Sequence, residues 1–125
     1  MTEMVFTFSH HIKPYTRMTK RGKFVQEDAI AYIASQGALQ WEYKKQMMAQ
    51  NWEMIPAGPS IVLGIEINMP ARLHGCDLSN QIKAIEDAAN KIVWADDRYI
   101  DTITADRMTG PDWKITVFVA ATSRN

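Results

Sequence analysis

From Ser60 to Met69 the chain alternates with a period of two. Ile61, Leu63, Ile65, Ile67 and Met69 fall on one side, Val62, Gly64, Glu66 and Asn68 on the other. That pattern predicts a strand with one buried face. Met4 to Phe8 predicts a shorter strand, and Tyr99–Met108 and Trp113–Ala121 predict two more. The run Met108-Thr109-Gly110-Pro111-Asp112 between these last two has turn chemistry, so an antiparallel hairpin is expected there. His10 to Phe24, with Pro14, Gly22 and scattered basic residues, reads as a long polar loop, and so do the segments around Pro56-Ala57-Gly58-Pro59 and from Pro70 to Cys76.

Two stretches carry helical periodicity. Glu27 to about Gln50 has no proline and shows two apolar stripes: Ile30, Ile33, Ala34, Gly37, Trp41 and Met48, and Tyr32, Leu39, Tyr43 and Met47. Either both stripes face one core or the second meets a partner chain, and Gly37 in the first permits close approach of another backbone. Leu78 to Val93 predicts a second helix with Leu78, Ile82, Ile85, Ala89 and Ile92 on one face. The resulting order, β-α-β-α-β-β, predicts an α/β fold: a single domain over residues 1–125 in which a mixed sheet packs against two helices.

Composition narrows the class. The 125 residues are 46% hydrophobic and 22% charged, a globular balance that excludes a disordered tail, a collagenous repeat or a rod. Cys76 is the one cysteine, so no intramolecular disulfide is available. No uncharged stretch approaches the ~20 residues of a membrane span and no secretory signal is present, so the expectation is a soluble protein of a reducing, intracellular compartment with no membrane partner. Net charge is zero but unevenly spread. Residues 1–25 hold Lys13, Arg17, Lys20, Arg21 and Lys23 against Glu3, while the rest of the chain is net acidic. The basic segment is a candidate grip for a polyanion, or simply a solvated loop.

Candidate chemistry concentrates after Gly75. Asp77 stands at a favourable N-cap position. Asn80, Lys83 and Asp87 share the face of the second helix opposite its apolar side, and Asp96 and Asp97 follow. Carboxylates converging with a lysine suit divalent-metal phosphodiester chemistry: hard oxygens hold Mg²⁺, and an ammonium offsets charge on the phosphate. A capped surface helix with an Asp-Asp turn accounts for the same residues without chemistry. His10, His11, His74 and Cys76 lack the paired spacing of a zinc site. Trp41, Trp52 and Trp94 read as core or interface anchors.

The stretch Asp77-Leu78-Ser79-Asn80-Gln81-Ile82-Lys83, followed by Trp94-Ala95-Asp96-Asp97, resembles the motif of the RusA family of crossover-junction (Holliday junction) endodeoxyribonucleases, which reads Asp-Leu-Asp-Asn-x-x-Lys, then an aromatic residue, a spacer and Asp-Asp. The resemblance is specific from Asp77 to about Asp101 and looser from Ile61 to the C-terminal strands and over the basic segment before the first helix. It implies a RusA-like homodimer in the cytoplasm of a bacterial or phage-infected cell, nicking branched DNA with Mg²⁺ or Mn²⁺. Asp77, Asp97 and Lys83 match the family's catalytic residues, the two aspartates as metal ligands. Asn80 is the motif amide, Asp96 the first of the paired aspartates, and Lys13, Arg17, Lys20, Arg21 and Lys23 are candidates for DNA backbone contact. Ser79 departs from the pattern by removing a carboxylate. Glu86 or Asp87 is expected to supply it, as in a largely phage-like branch that reads Asp-Leu-Ser-Asn; otherwise the protein binds branches and cuts poorly. An α/β assembly module unrelated to DNA is the remaining alternative.

Overall fold

A computed structural model describes residues 2–9, 11, 13, 22–70 and 77–122, with the backbone alone over 22–28. The elements run β1 (Thr2–Phe8), α1 (Gly22–Gln50), β2 (Ser60–Met69), α2 (Leu78–Ala89), a short 3-10 turn (Asp97–Tyr99), β3 (Ile100–Thr109) and β4 (Lys114–Thr122). The expected order and the mixed sheet are both present. Arg17, Lys20 and Arg21 lie outside the described residues, as do His10, His74 and Cys76. Lys23 falls on the first turn of α1, which begins at Gly22 rather than Glu27.

The sheet order is β1-β4-β2-β3. β4 runs antiparallel to both β1 and β2, and β2 runs parallel to β3. The expected β3–β4 hairpin is therefore incorrect. The residues between Thr109 and Lys114 cross the end of β2, where the Gly110 N–H donates to the Met69 carbonyl at 2.9 Å. Turn chemistry is local and does not specify which strand the chain joins next. β2, placed between β3 and β4, has the strictest alternation, and its five alternate apolar residues are all buried.

Both helices lie over one face of the sheet. Met4, Phe6 and Phe8 of β1 and Ile115, Val117, Val119 and Ala121 of β4 complete the core beneath them. Phe6 and Phe8 each meet the Tyr43 ring edge-on at 4.9 Å, a favoured arrangement for aromatic pairs. The opposite face is open, with Val5, Val62 and Phe118 exposed. No helix among the described residues is long and apolar enough to cross a membrane.

The two stripes of α1 have different fates. Tyr32, Leu39, Tyr43 and Met47 are buried against α2 and the sheet, whereas Ile30, Ile33, Trp41 and Met48 are exposed. The partner expectation attached to the second stripe is thereby overturned, since that stripe is the core face. Fully burying a leucine or an aromatic contributes about 1.5–3 kcal/mol each. Three polar side chains fix α1 on α2: the Gln36 amide donates to the Ala84 carbonyl (2.9 Å), the Tyr43 hydroxyl to the Ile85 carbonyl (3.1 Å), and the Tyr32 hydroxyl to Asp87 (3.3 Å). Burial pushes the Tyr43 phenol far above its usual pKa, so it acts as a permanent donor.

α2 ends at Ala89, short of the expected Val93. Lys91 adopts a left-handed φ of 70°, and its N–H donates to the Trp94 carbonyl at 2.8 Å. The turn frees Val93 and Trp94 to enter the core. The buried side of α2 is Gln81, Ala84, Ile85, Ala88 and Ala89, with Leu78 and Ile82 only partly covered. Its centre is thus rotated toward small residues, which let the helix approach the sheet and α1.

Candidate functional site

The segment after α2 is held by a two-way stitch. The Ile55 N–H donates to the Val93 carbonyl at 2.8 Å, and the Ala95 N–H to the Ile55 carbonyl at 2.9 Å. Trp94 between them is fully buried, and its indole N–H donates to Asp97 Oδ1 at 2.6 Å. A fully buried side chain thereby fixes the orientation of Asp97, which opens the 3-10 turn. Asp96 has a different task. Its carboxylate accepts the Arg98 backbone N–H at 3.0 Å and lies 3.3 Å from the guanidinium. That N–H, followed by the Arg98 and Lys91 charges, lowers the Asp96 pKa. Of the adjacent pair, Asp96 caps the turn and Asp97 joins a charged cluster.

Glu86, Asp87 and Lys83 of α2 complete that cluster. Lys83 Nζ lies 3.8 Å from Asp87 Oδ1, one turn along the helix, and Asp87 Oδ2 accepts from Tyr32 of α1. Both members of the Lys83–Asp87 pair are partly exposed, so the pair contributes about 0.3–0.5 kcal/mol to stability. The carboxylates repel one another. Partial burial raises the Glu86 pKa, and the charges of Asp97 and Asp87 raise it further while Lys83 opposes them. Partial burial likewise raises that of Asp97; the Trp94 hydrogen bond and Lys83 oppose the shift, and Asp87 and Asp96 reinforce it.

The N-terminal end of α2 differs. Asp77 occupies the N-cap position with extended backbone (φ −82°, ψ 141°), but its side chain makes no capping hydrogen bond. Ser79 is exposed and Asn80 half-buried. Ten residues separate Asp77 from Asp87, roughly 15 Å along the helix axis. Asp77 is not among the charges acting on Glu86 or Asp97. The structure therefore gathers Lys83, Glu86, Asp87 and Asp97 and leaves Asp77 and Ser79 at the far end of the same helix. Lys13 is half-buried, and its backbone N–H donates to Ser35 Oγ at 3.1 Å, which ties the start of the basic segment to α1.

Three contributors were invisible to sequence reasoning. Tyr32 is 55 positions from Asp87, and no spacing rule joins them. Arg107 on β3 donates to Gln81 Oε1 at 2.9 Å, which brings a cation beside the start of α2. Gln81 itself is buried on what its residue type marks as a solvent position. The Trp94–Asp97 bond had a weak signal, the i, i+3 spacing within the paired-aspartate motif.

Among the described residues, no three His, Cys, Asp or Glu side chains stand close enough to ligate one ion as a closed set. An Mg²⁺ site does not need one. The ion keeps several waters and takes one or two carboxylates together with substrate phosphate oxygens. Glu86 and Asp97, whose pKa values are raised by partial burial and then by neighbouring carboxylates, fit such an open site in donor chemistry and in charge, with Asp97 oriented by a buried indole.

The chain matches no curated protein. Over residues 7–120 it matches the family model described as endodeoxyribonuclease RusA.

Proposed function

The chain belongs to the endodeoxyribonuclease RusA family, and on that premise we propose that it is a divalent-metal-dependent endonuclease that resolves Holliday junctions and related branched DNA by paired nicking. The observation that carries the reading is the convergence of Glu86 and Asp87 with Lys83 and Asp97, the last two of which are motif residues. Asp97, with Glu86 or Asp87 beside it, would hold Mg²⁺ or Mn²⁺ in an open site completed by water and substrate oxygens. Such an ion supplies Lewis-acid activation of water and charge neutralisation at the phosphodiester. Lys83, positioned by Asp87, offsets the negative charge that grows on the phosphate. Trp94 and Tyr32 orient the two aspartates.

Ser79 leaves the family motif one carboxylate short, and Glu86 is our assignment for the compensating group, because the charges of Asp97 and Asp87 both act on it. Asp77 keeps the ligand role that its motif position implies, but for an ion engaged only once DNA is bound, since it stands apart from the cluster. Asn80 and Arg107 border the path from one end of α2 to the other. The segment with Lys13, Arg17, Lys20, Arg21 and Lys23 is proposed to hold backbone phosphates, which gives binding a steep salt dependence. Paired nicks on a roughly two-fold junction need two sites related by a two-fold axis, hence a homodimer. The proposed location is the cytoplasm of a bacterial or phage-infected cell.

A labelled four-way junction incubated with and without Mg²⁺ tests this reading. Symmetric nicks that require the ion support it. Retarded but uncut junction would transfer the protein to a branch-binding role, and neither binding nor cutting would remove DNA from its function.

A further inference from the structure

Among the described residues, nothing covers the apolar outward face of α1. Ile30 is 67% exposed, Ile33 59%, Trp41 59% and Met48 74%. Ile30, Ala34, Gly37, Trp41, Lys44 and Met48 follow one another at alternating steps of four and three, the 3.5-residue period by which one helix seats another. Gly37 is the informative member. Mid-helix glycine is among the most unfavourable helix residues. Here its backbone is helical, and a Cβ added to it would meet nothing within 4 Å. Among the described residues nothing asks for glycine at this point, which suits the close approach of a second backbone.

The two halves of the stripe on either side of Gly37 are unlike. The N-terminal half projects Ile30 and Ile33. The C-terminal half forms a groove of about 370 Å³ between Trp41, Met47, Met48, Met54 and Ile92. Ile30 lies seven residues before Gly37 and Lys44 seven residues after it. In an antiparallel pair of α1 helices crossing at Gly37, Ile30 and Ile33 of each copy therefore meet the groove of the other, and Trp41 covers the small residues Ala34 and Gly37. The charges agree. In sequence Glu27 and Asp28 precede the stripe, while Lys44 and Lys91 line the groove. The same two-fold brings the Glu27 turn of one helix toward Lys44 of the other. A phosphate backbone would not select this surface, because its exposed area is mainly apolar.

We infer that the outward face of α1 seats a second copy of this chain, packed antiparallel about a two-fold axis near Gly37. The inference rests on the nuclease reading only for the expectation of a homodimer, and adds which surface forms it. The seam is roughly 27 Å long at ~1.5 Å per residue from Ile30 to Met48. That places the contact at the small end of specific interfaces, with a dissociation constant in the micromolar range expected.

Sedimentation velocity over a concentration series tests it, using the full chain. Wild type should move from monomer to dimer within the micromolar range. Gly37→Leu, which meets no obstacle in the monomer and improves helix propensity, should weaken the dimer at least tenfold, and so should Trp41→Ala. Phe118→Asp on the open sheet face should leave it unchanged. Far-UV circular dichroism at high dilution verifies that each variant is folded; should Trp41→Ala fail there, Ile30→Asp takes its place. A wild type that stays monomeric, or a dimer that persists in the folded α1 variants, overturns the inference. Nicking of the junction is scored separately: a dimer joined by α1 that never cuts defeats the nuclease reading alone, and a nuclease whose dimer ignores Gly37→Leu defeats this inference alone.

Discussion

The two ends of α2 carry the same family motif and are built in opposite ways. At the C-terminal end, Asp97 is aimed by a buried indole, Asp87 is held by a tyrosine from another helix, and Glu86 feels both of their charges. At the N-terminal end, Asp77 and Ser79 are exposed and Asp77 makes no capping bond. One end is preorganised and electrostatically loaded before any ligand arrives; at the other, no capping bond among the described residues orients Asp77. Preorganised charge that repels itself is what a cation relieves, so the C-terminal end should respond to metal in the free protein and the N-terminal end only in a complex with DNA.

The widest expected separation is in cation linkage. Asp97→Asn and Asp77→Asn should both abolish junction cutting while leaving junction binding within a few fold. Thermal unfolding should distinguish them, because an ion that binds only the folded state raises the melting temperature. The rise produced by millimolar Mg²⁺ or Mn²⁺ should vanish in Asp97→Asn and Glu86→Gln and persist in Asp77→Asn. Loss of the shift in Asp77→Asn would mean that both ends serve one ion in the free protein.

Stability without metal separates the ends by a smaller amount. Asp97→Ala removes the acceptor of the Trp94 indole N–H, a donor carried by a core side chain, and should cost about 1–3 kcal/mol in a urea titration. Asp77→Ala breaks no capping bond and should cost at most about 0.5 kcal/mol, the low end for an N-cap change. Equal losses would show that Asp77 caps α2 in solution.

Acidity supplies a third contrast. The folded-state pKa values of Glu86 and Asp97 lie above their ordinary values, so the native state holds these protons more tightly than the unfolded chain does. Their ionisation therefore withdraws stability as pH rises from the ordinary carboxylate value through the raised one. In metal-free buffer Glu86→Gln should match or exceed wild-type stability at neutral pH, with the advantage gone below the ordinary carboxylate pKa. Cutting should fall on acidification through the same window as protons compete with the ion. A Glu86→Gln protein less stable than wild type at neutral pH would contradict the like-charge picture.

The smallest effect is expected at Ser79. An added carboxylate in the first turn of α2 favours the helix dipole by about 0.3–1 kcal/mol. Ser79→Asp should thus raise stability slightly and leave wild-type cutting unchanged or lower. It should not restore cutting to Glu86→Gln, because seven residues put the two positions roughly 10 Å apart along the axis. Rescue would collapse the distinction between the ends, and a faster wild-type reaction would show that the site lacks a carboxylate that Glu86 does not replace.

Much of this was legible in the sequence where a residue's chemistry and its neighbours along the chain agree. The ten residues of β2 alternate without exception, and the strand matches its expected limits. Asp97 and Lys83 could be singled out because motif spacing is a local property. Long-range choices were not legible. Gly110-Pro111-Asp112 announces a turn but carries no information that the chain must pass over β2 before pairing. The stripes of α1 are both apolar, and the one that faces the core is the more polar in residue type, with two tyrosines among its members and the buried Gln36 beside them. Tyr43 and Gln36 go inside here because backbone carbonyls of α2 receive their donors, and Tyr32 because Asp87 of α2 receives its own, matches between segments that no periodicity encodes. For the same reason Leu39→Asp or Tyr43→Asp would report on folding rather than on assembly.

The bonds from Gln36 and Tyr43 end on the main-chain oxygens of Ala84 and Ile85, not on side chains. A carbonyl is present whatever residue bears it. α1 therefore grips the polypeptide of α2 while remaining indifferent to most of its letters, and the outward positions of α2 can drift without the helix shifting in its seat. A lineage could lose a carboxylate at one turn and gain another two turns later while passing through folded intermediates at every step. Ser79 and Glu86 have the form that such a history would leave: a reaction centre free to be rewritten because its support is anchored through atoms that mutation does not change.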